Sequence, residues 1–172
     1  MILWLKGAMA QLPKKYSNIL LFAALTGLRP SECWHRIRLI QNDRERYVNN
    51  ESLILSHYKY PEIFLRRTKK AYITLISGPI LEIAENSHIR LPYAQLCKIL
   101  KAKNISMNMY YCRKIFATFL RNKGIEPEIV DLLQGRIPKS IFLRHYYRPG
   151  INEIITKRIR PVLAELMKEL WS

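Results

Sequence analysis

Carboxylates are scarce in this chain. Against 29 Lys and Arg stand only 13 Asp and Glu, which leaves a net charge of +16 over 172 residues. An excess of that size calls for a polyanionic partner. Nucleic acid comes first, because neutralising phosphates supplies most sequence-independent affinity. A membrane surface and a ribosomal or tail-like basic protein are rivals, but the second is usually poorer in apolar residues than the 49% found here. Cysteine is scarce too. Cys33, Cys97 and Cys112 are odd in number, widely spaced and without a CxxC pair. That excludes a disulfide framework and a zinc cluster, and fits a reducing, intracellular setting. Long apolar runs are missing: the longest, Ile19 to Leu25, falls well short of the ~20 residues of a bilayer span. The opening MILWLKGAMA is apolar but lacks the basic region of a signal peptide. It joins a helical pattern so abruptly that the chain is expected to be part of something longer. There is no internal repeat, no low-complexity stretch, no P-loop and no carboxylate cluster suited to Mg²⁺.

What is present is helical punctuation. Asn18 to Leu28 is apolar on nearly every face and reads as a central buried helix, stopped at Gly27. Pro30 then opens a second helix running to about Ile40, and polar Gln41 to Asn50 reads as a loop. Three β-rich runs follow: Leu53–Leu55, Ile63–Leu65 and Tyr72–Ile76. The gap between the last two, Arg66 to Ala71, is short enough for a hairpin. After Gly78-Pro79 come helices over Ile80–Asn86 and Tyr93–Ala102. Ser106 or Asn108 is positioned to cap another, in which Ile115, Phe116, Phe119 and Leu120 form one stripe ended by Gly124. Pro127 opens the next, with Ile129, Leu132 and Leu133 inward and Gly135 at its end. A short helix over Lys139–Tyr147 closes at Pro149-Gly150. The last helix, Asn152–Trp171, carries Ile155, Ile159, Leu163, Leu166 and Leu170 on one side and is kinked or split by Pro161. The class is mainly α with a small three-stranded antiparallel sheet (α+β).

Four local patterns stand in a fixed order. LTGLRPSE puts Arg29 at a helix–helix joint. RRTKKAYITLI puts Lys69 and Lys70 at a hairpin. YYCRKIFATFLRNKG puts Arg113 one turn after Tyr110, and LLQGR puts Arg136 just past Gly135. The pair Tyr146-Tyr147 follows within RHYYRP, 33 and 34 positions after Arg113. This order resembles the catalytic domain of the tyrosine recombinases, the integrase and Xer-type family, over roughly Leu20 to Pro149. In that family LTGLRxSE carries a first arginine, a hairpin lysine follows, HxxRHxFAT carries a second arginine, LLGH the next basic or aromatic residue, and a tyrosine comes thirty-odd positions after the second arginine. Tyr110 stands where the HxxR histidine would be, and Arg136 where the LLGH histidine would be. A set poorer in histidine is similar to the integrases of archaeal viruses and plasmids.

The resemblance implies a recombinase catalytic-domain fold over 1–172, with 152–172 as a helical tail and the family's separate N-terminal clamp domain absent. It implies site-specific recombination of double-stranded DNA at attachment sites, within the host cell on host or viral DNA. The assembly would be a homotetramer on DNA and a monomer without it, with no membrane and no cofactor. The chemistry follows from the residue types. Metal-free phosphodiester cleavage needs cations at the nonbridging oxygens, and guanidiniums are planar, permanently charged and bidentate toward phosphate. Arg29, Arg113 and Arg136 are the candidates, with Tyr110 a further site member. Lys69 is the candidate acid for the departing 5′ oxygen, in competition with Lys70 and Lys59. A tyrosine attacks phosphorus and holds the 3′ end as a phosphotyrosine. Spacing favours Tyr146, with Tyr147 as the alternative. Arg66, Arg67, Lys70, Lys114, Lys139, Arg144 and Arg148 are candidate DNA contacts. His145 is expected to be structural or to touch DNA, while His35, His57 and His88 show no metal spacing. Trp34 and Trp171 are expected to pack. The tail stripe would either close its own core or dock on a neighbouring protomer. Two other readings share much of this: a type IB topoisomerase, and a DNA-binding module of the same fold without catalysis.

Overall fold

A helix with no polar face must be wrapped on all sides, and α2 (Lys14–Thr26) is the axis of this protein for that reason. The computed structural model describes residues 1–66, 69–87, 93–105, 109–136 and 155–171. In it every residue from Asn18 to Thr26 is buried. Around α2 pack α1 (Ile2–Ala10), α3 (Pro30–Asn42), α6 (Gly78–Glu85), α8 (Tyr110–Asn122) and α10 (Arg160–Trp171). The remaining helices are α4 (Arg44–Tyr47), α5 (Pro61–Phe64), α7 (Tyr93–Ala102) and α9 (Pro127–Leu133).

The sheet has the expected size but a different membership. Its strands are β1 (Val48–Asn49), β2 (Ile54–Ser56) and β5 (Ile73–Leu75), in the order β1-β2-β5 and antiparallel, with Val48 opposite Leu55 and Ile54 opposite Leu75. The polar run after Ile40 is therefore not one loop. α3 continues to Asn42, α4 is a single helical turn, and Val48 begins the sheet. The buried Tyr47 and Val48 decide this, since two apolar anchors outweigh the polar residues around them. Conversely, Ile63 and Phe64 are not sheet residues. Pro61 starts a helical turn that carries Phe64 into the core. The chain then forms a separate antiparallel ladder of β3 (Leu65–Arg66) and β4 (Lys69–Lys70), with Leu65 opposite Lys70 and Arg66 opposite Lys69. Both lysines are thus strand residues of the inserted ladder.

The α8 stripe Ile115, Phe116, Phe119 and Leu120 is buried as expected. The proposed caps Ser106 and Asn108, and the helix over Lys139–Tyr147, lie outside the described residues. In the tail a π-helical turn (Ile155–Ile159) runs directly into α10, so the interruption expected at Pro161 falls where the helix changes from π to α geometry. Ile159, Leu163, Leu166 and Leu170 are buried on a helix that packs against α1, α2 and α8 of its own chain. Trp171 does not pack: it is 56% exposed, because it falls one position past the stripe. Among the described residues no helix is long and apolar enough to cross a membrane.

Candidate active site

Arg113 is the keystone of the site. It lies one turn into α8 and is only 6% exposed. Its Nη1 donates to the carbonyl of Gly27 at 2.9 Å, and its Nη2 to the carbonyl of Gln134 at 3.3 Å. Gln134 returns the contact, its Nε2 donating to the Arg113 carbonyl at 2.9 Å. One guanidinium therefore joins the end of α2 to the end of α9. Gly27 stands two residues before Arg29, and Gln134 two residues before Arg136. Residues far apart along the chain are thereby collected in one place.

Both joints need glycine. Gly27 ends α2 at φ +66, and a Cβ there would sit 2.4 Å from Cδ1 of Phe116, one turn after Arg113 on α8. The bare backbone lets α8 approach closely enough for the guanidinium to reach the carbonyl. Gly135, also at φ +66, faces Ala71: a Cβ would lie 2.8 Å from Ala71 Cβ and 3.0 Å from its Cα and N. Through this contact the Lys70 N–H donates to the Gly135 carbonyl at 3.2 Å. The turn Gln134–Gly135–Arg136 is thus a hub, receiving Arg113 on one carbonyl and β4 on the next.

Arg29 is the N-cap residue of α3. Its own N–H donates to Glu32 Oε2 at 3.1 Å and its Nη1 to Glu32 Oε1 at 2.7 Å. Glu32 is buried, while the Arg29 side chain stays 16% exposed, so one edge of the guanidinium is held and another faces outward. Arg136 pairs with Asp131 at 2.9 Å, with side chains 53% and 38% exposed. Such a solvated pair is worth at most about 1 kcal/mol, so an incoming phosphate can displace the carboxylate.

The charge of Arg113 responds to the other cations around it. Burial pushes the Arg113 guanidinium down to about 10. The positive charge of Arg29 works in the same direction, as do those of Arg136 and Arg36, and Glu32 opposes them. Arg113 still carries its charge near neutral pH. The cluster therefore holds more guanidinium than carboxylate charge.

Tyr110 begins α8 and is 52% exposed, three positions before the buried Arg113. Lys70 is exposed on β4. Lys59, on the 3₁₀ turn His57–Lys59, donates to the Arg46 carbonyl at 2.9 Å. Lys114 is exposed, its Nζ lying 5.1 Å from the centre of the Tyr111 ring. The side chains of Arg66 and Lys69 lie outside the described residues. So do the whole of Arg67, His88, Lys139, Arg144, His145, Tyr146, Tyr147 and Arg148.

The sequence reading overlooked Glu32, although an acid three residues after the N-cap of α3 is half of a capping-box signal. It also overlooked Gln134, for which no signal existed, and a buried polar chain beneath the site. The Tyr47 hydroxyl meets His57 Nδ1 at 2.7 Å, and His57 Nε2 meets Thr74 Oγ1 at 2.9 Å. Burial, helped by the charge of Arg36, holds His57 well below its ordinary value. His57 is therefore neutral: the phenol donates to Nδ1, and Nε2–H donates to Thr74. Arg36 itself is fully buried.

Residues 5–152, most of the chain, match the family model described as archaeal phage integrase. No curated protein and no solved structure matches the chain.

Proposed function

We propose that this chain, which belongs to the archaeal phage integrase family, carries the catalytic domain of a tyrosine-type site-specific recombinase acting on double-stranded DNA within the host cell. The observation that carries the reading is the Arg113 bridge, whose two carbonyl partners stand two residues before Arg29 and Arg136. Three guanidiniums gathered there suit one scissile phosphate, Arg29 and Arg136 meeting it from the exposed side and Arg113 from beneath. Their charge stabilises the crowded phosphorane as negative charge grows on its nonbridging oxygens.

The phenol of Tyr146 gives up its proton to solvent, its oxygen bonds to phosphorus, and the P–O5′ bond breaks. The 3′ end becomes a phosphotyrosyl ester, and the 5′ oxygen takes a proton from a β4 lysine, Lys69 or its neighbour Lys70. The phosphodiester energy is conserved in the ester. A 5′ hydroxyl from a second duplex then reverses the step, returns the phenol and completes the exchange. Tyr110, at the mouth of the site, and the cations Lys70, Lys114, Arg66, Arg67, Lys139, Arg144 and Arg148 contact the duplex backbone. Four protomers assemble on two duplexes.

The test is covalent trapping. A pool of nicked duplexes with randomised sequence, in which the short cleaved strand diffuses away, should leave the wild-type chain attached to DNA as an SDS-stable adduct. Tyr146→Phe should abolish the adduct and Tyr147→Phe should retain it. The opposite pattern reassigns the nucleophile. Absence of any wild-type adduct sinks the recombinase reading.

A further inference from the structure

Arg36 has no evident reason to be charged. It is 0% exposed, and among the described residues its Nε, Nη1 and Nη2 find no hydrogen-bond acceptor. With chiefly the electrostatic company of the Tyr47 phenol and Glu32, a guanidinium in the core is a liability that a Met or Leu of similar volume would remove. The groups whose fields reach it, and the ring it lies on, are informative. One helical turn earlier on α3 is Glu32, whose carboxylate holds Arg29 through both its backbone N–H and its Nη1. On another side, Arg36 Cζ lies 5.2 Å from the centre of the Phe64 ring. Phe64 is the residue just before β3, and its carbonyl accepts the Ala71 N–H at 3.3 Å, closing the base of the β3–β4 ladder. The ring is held in turn: Tyr47 stacks on it at 6.1 Å and 9°, and His57 lies against it at 4.4 Å. The same phenol and imidazole bind each other and Thr74 of β5.

We propose that Arg36 is a positioning residue, whose buried charge ties the Arg29–Glu32 pair to the Phe64 base of the β3–β4 ladder and so sets the ladder's lysine against the phosphate that Arg29 holds. The inference rests on the recombinase reading. A cation suits the position better than an apolar side chain because both partners respond to charge. Glu32 is attracted to it across one turn, and the face of the Phe64 ring carries negative quadrupole density. Neither attraction survives in a methionine. β4 itself reaches the rest of the site through the Lys70–Gly135 bond, so near the base of the ladder Arg36 supports the β3 side and Gly135 the β4 side.

The test uses two kinds of measurement on Arg36→Met and Arg36→Lys of the full chain. The first is cleavage of a trapped duplex made with an ordinary 5′ oxygen or with a bridging 5′ sulfur at the cut. With sulfur the P–S bond breaks and the thiolate leaves without taking a proton, so the lysine acid is no longer needed. Arg36→Met should cleave the oxygen duplex at least about tenfold more slowly, a fraction of what a general acid contributes. It should regain nearly the wild-type rate on the sulfur duplex, and Arg36→Lys should fall between. The second is amide hydrogen exchange without DNA. In Arg36→Met the Ala71 and Lys70 amides should exchange faster, while that of Gly27, bonded to Ala23 in α2, should not change. If Arg36→Met does not fold, Phe64→Leu replaces it and should show the same local loss. Slow cleavage of both duplexes alike, or unchanged exchange at Ala71 and Lys70, overturns the proposal. Because exchange needs no substrate, failure of the wild-type chain to cut DNA would strike the recombinase reading and leave the tie itself to be judged by the amides.

Discussion

Replacing Gly135 with alanine separates backbone strain from loss of contact with β4. At φ +66 a side chain costs roughly 1–2 kcal/mol in any context. The new Cβ would also meet Ala71, at 2.8 Å from its Cβ and 3.0 Å from its Cα and N. Two of those atoms are backbone and cannot rotate aside, so either the turn or β4 must retreat. Overpacking of that kind adds about 1–3 kcal/mol, for a combined loss of about 2–5 kcal/mol. Gly124→Ala supplies the comparison: its φ is +79, but no atom of the described residues lies within 4 Å of where a Cβ would stand, so only the strain remains, about 1–2 kcal/mol. Thermal or urea denaturation would read the difference, each kcal/mol corresponding to about 2–4 °C in Tm for a chain of this size. Because the retreat lengthens the Lys70–Gly135 bond, Gly135→Ala should also slow formation of the covalent adduct, whereas Gly124→Ala should leave it unchanged. Equal destabilisation by the two, or full cleavage by Gly135→Ala, would refute the view that β4 is held to the site through this turn.

Two further outcomes follow from the same geometry. Below its unfolded value of about 6.5, His57 takes up a proton in the unfolded chain but not in the folded one. Stability is therefore complete above that pH and falls as the medium is acidified toward the depressed folded value, by about 1.4 kcal/mol per pH unit for one proton. Urea titrations between about pH 5 and 7 should show this slope, and His57→Gln should remove most of it. Arg113→Lys replaces a fork that spans two carbonyls with a single point charge. Leaving one buried carbonyl unpaired should cost about 1–3 kcal/mol on denaturation. Adduct formation should fall about 10²–10³-fold, the usual loss when a preorganised donor at a developing oxyanion is removed; a Lys variant that cleaves normally would exclude Arg113 from the chemistry.

Local chemistry made most of the helices, and the order of the arginine motifs, legible in the sequence. An unbroken apolar run required α2 to be central, Pro30 and Pro127 marked helix starts, Gly27 and Gly135 marked helix ends, and the arginine motifs carried their order with them. These signals act over one or two turns, and so does the physics that produces them. The sheet was read less well for the same reason. Strands of two or three residues carry almost no periodicity, and it was the burial of Tyr47, Val48 and Phe64 against distant partners that chose β1 for the sheet and bent Ile63–Phe64 into a helical turn. Only the tertiary structure decided that Arg113 is buried as a bridge while Arg29 and Arg136 stay partly exposed. It alone decided that Gly135 carries β4, and that Glu32 and Arg36 lie behind Arg29. Each of these depends on a backbone carbonyl or a ring face brought in from another part of the chain, and a residue's own neighbours in sequence hold no information about which one arrives.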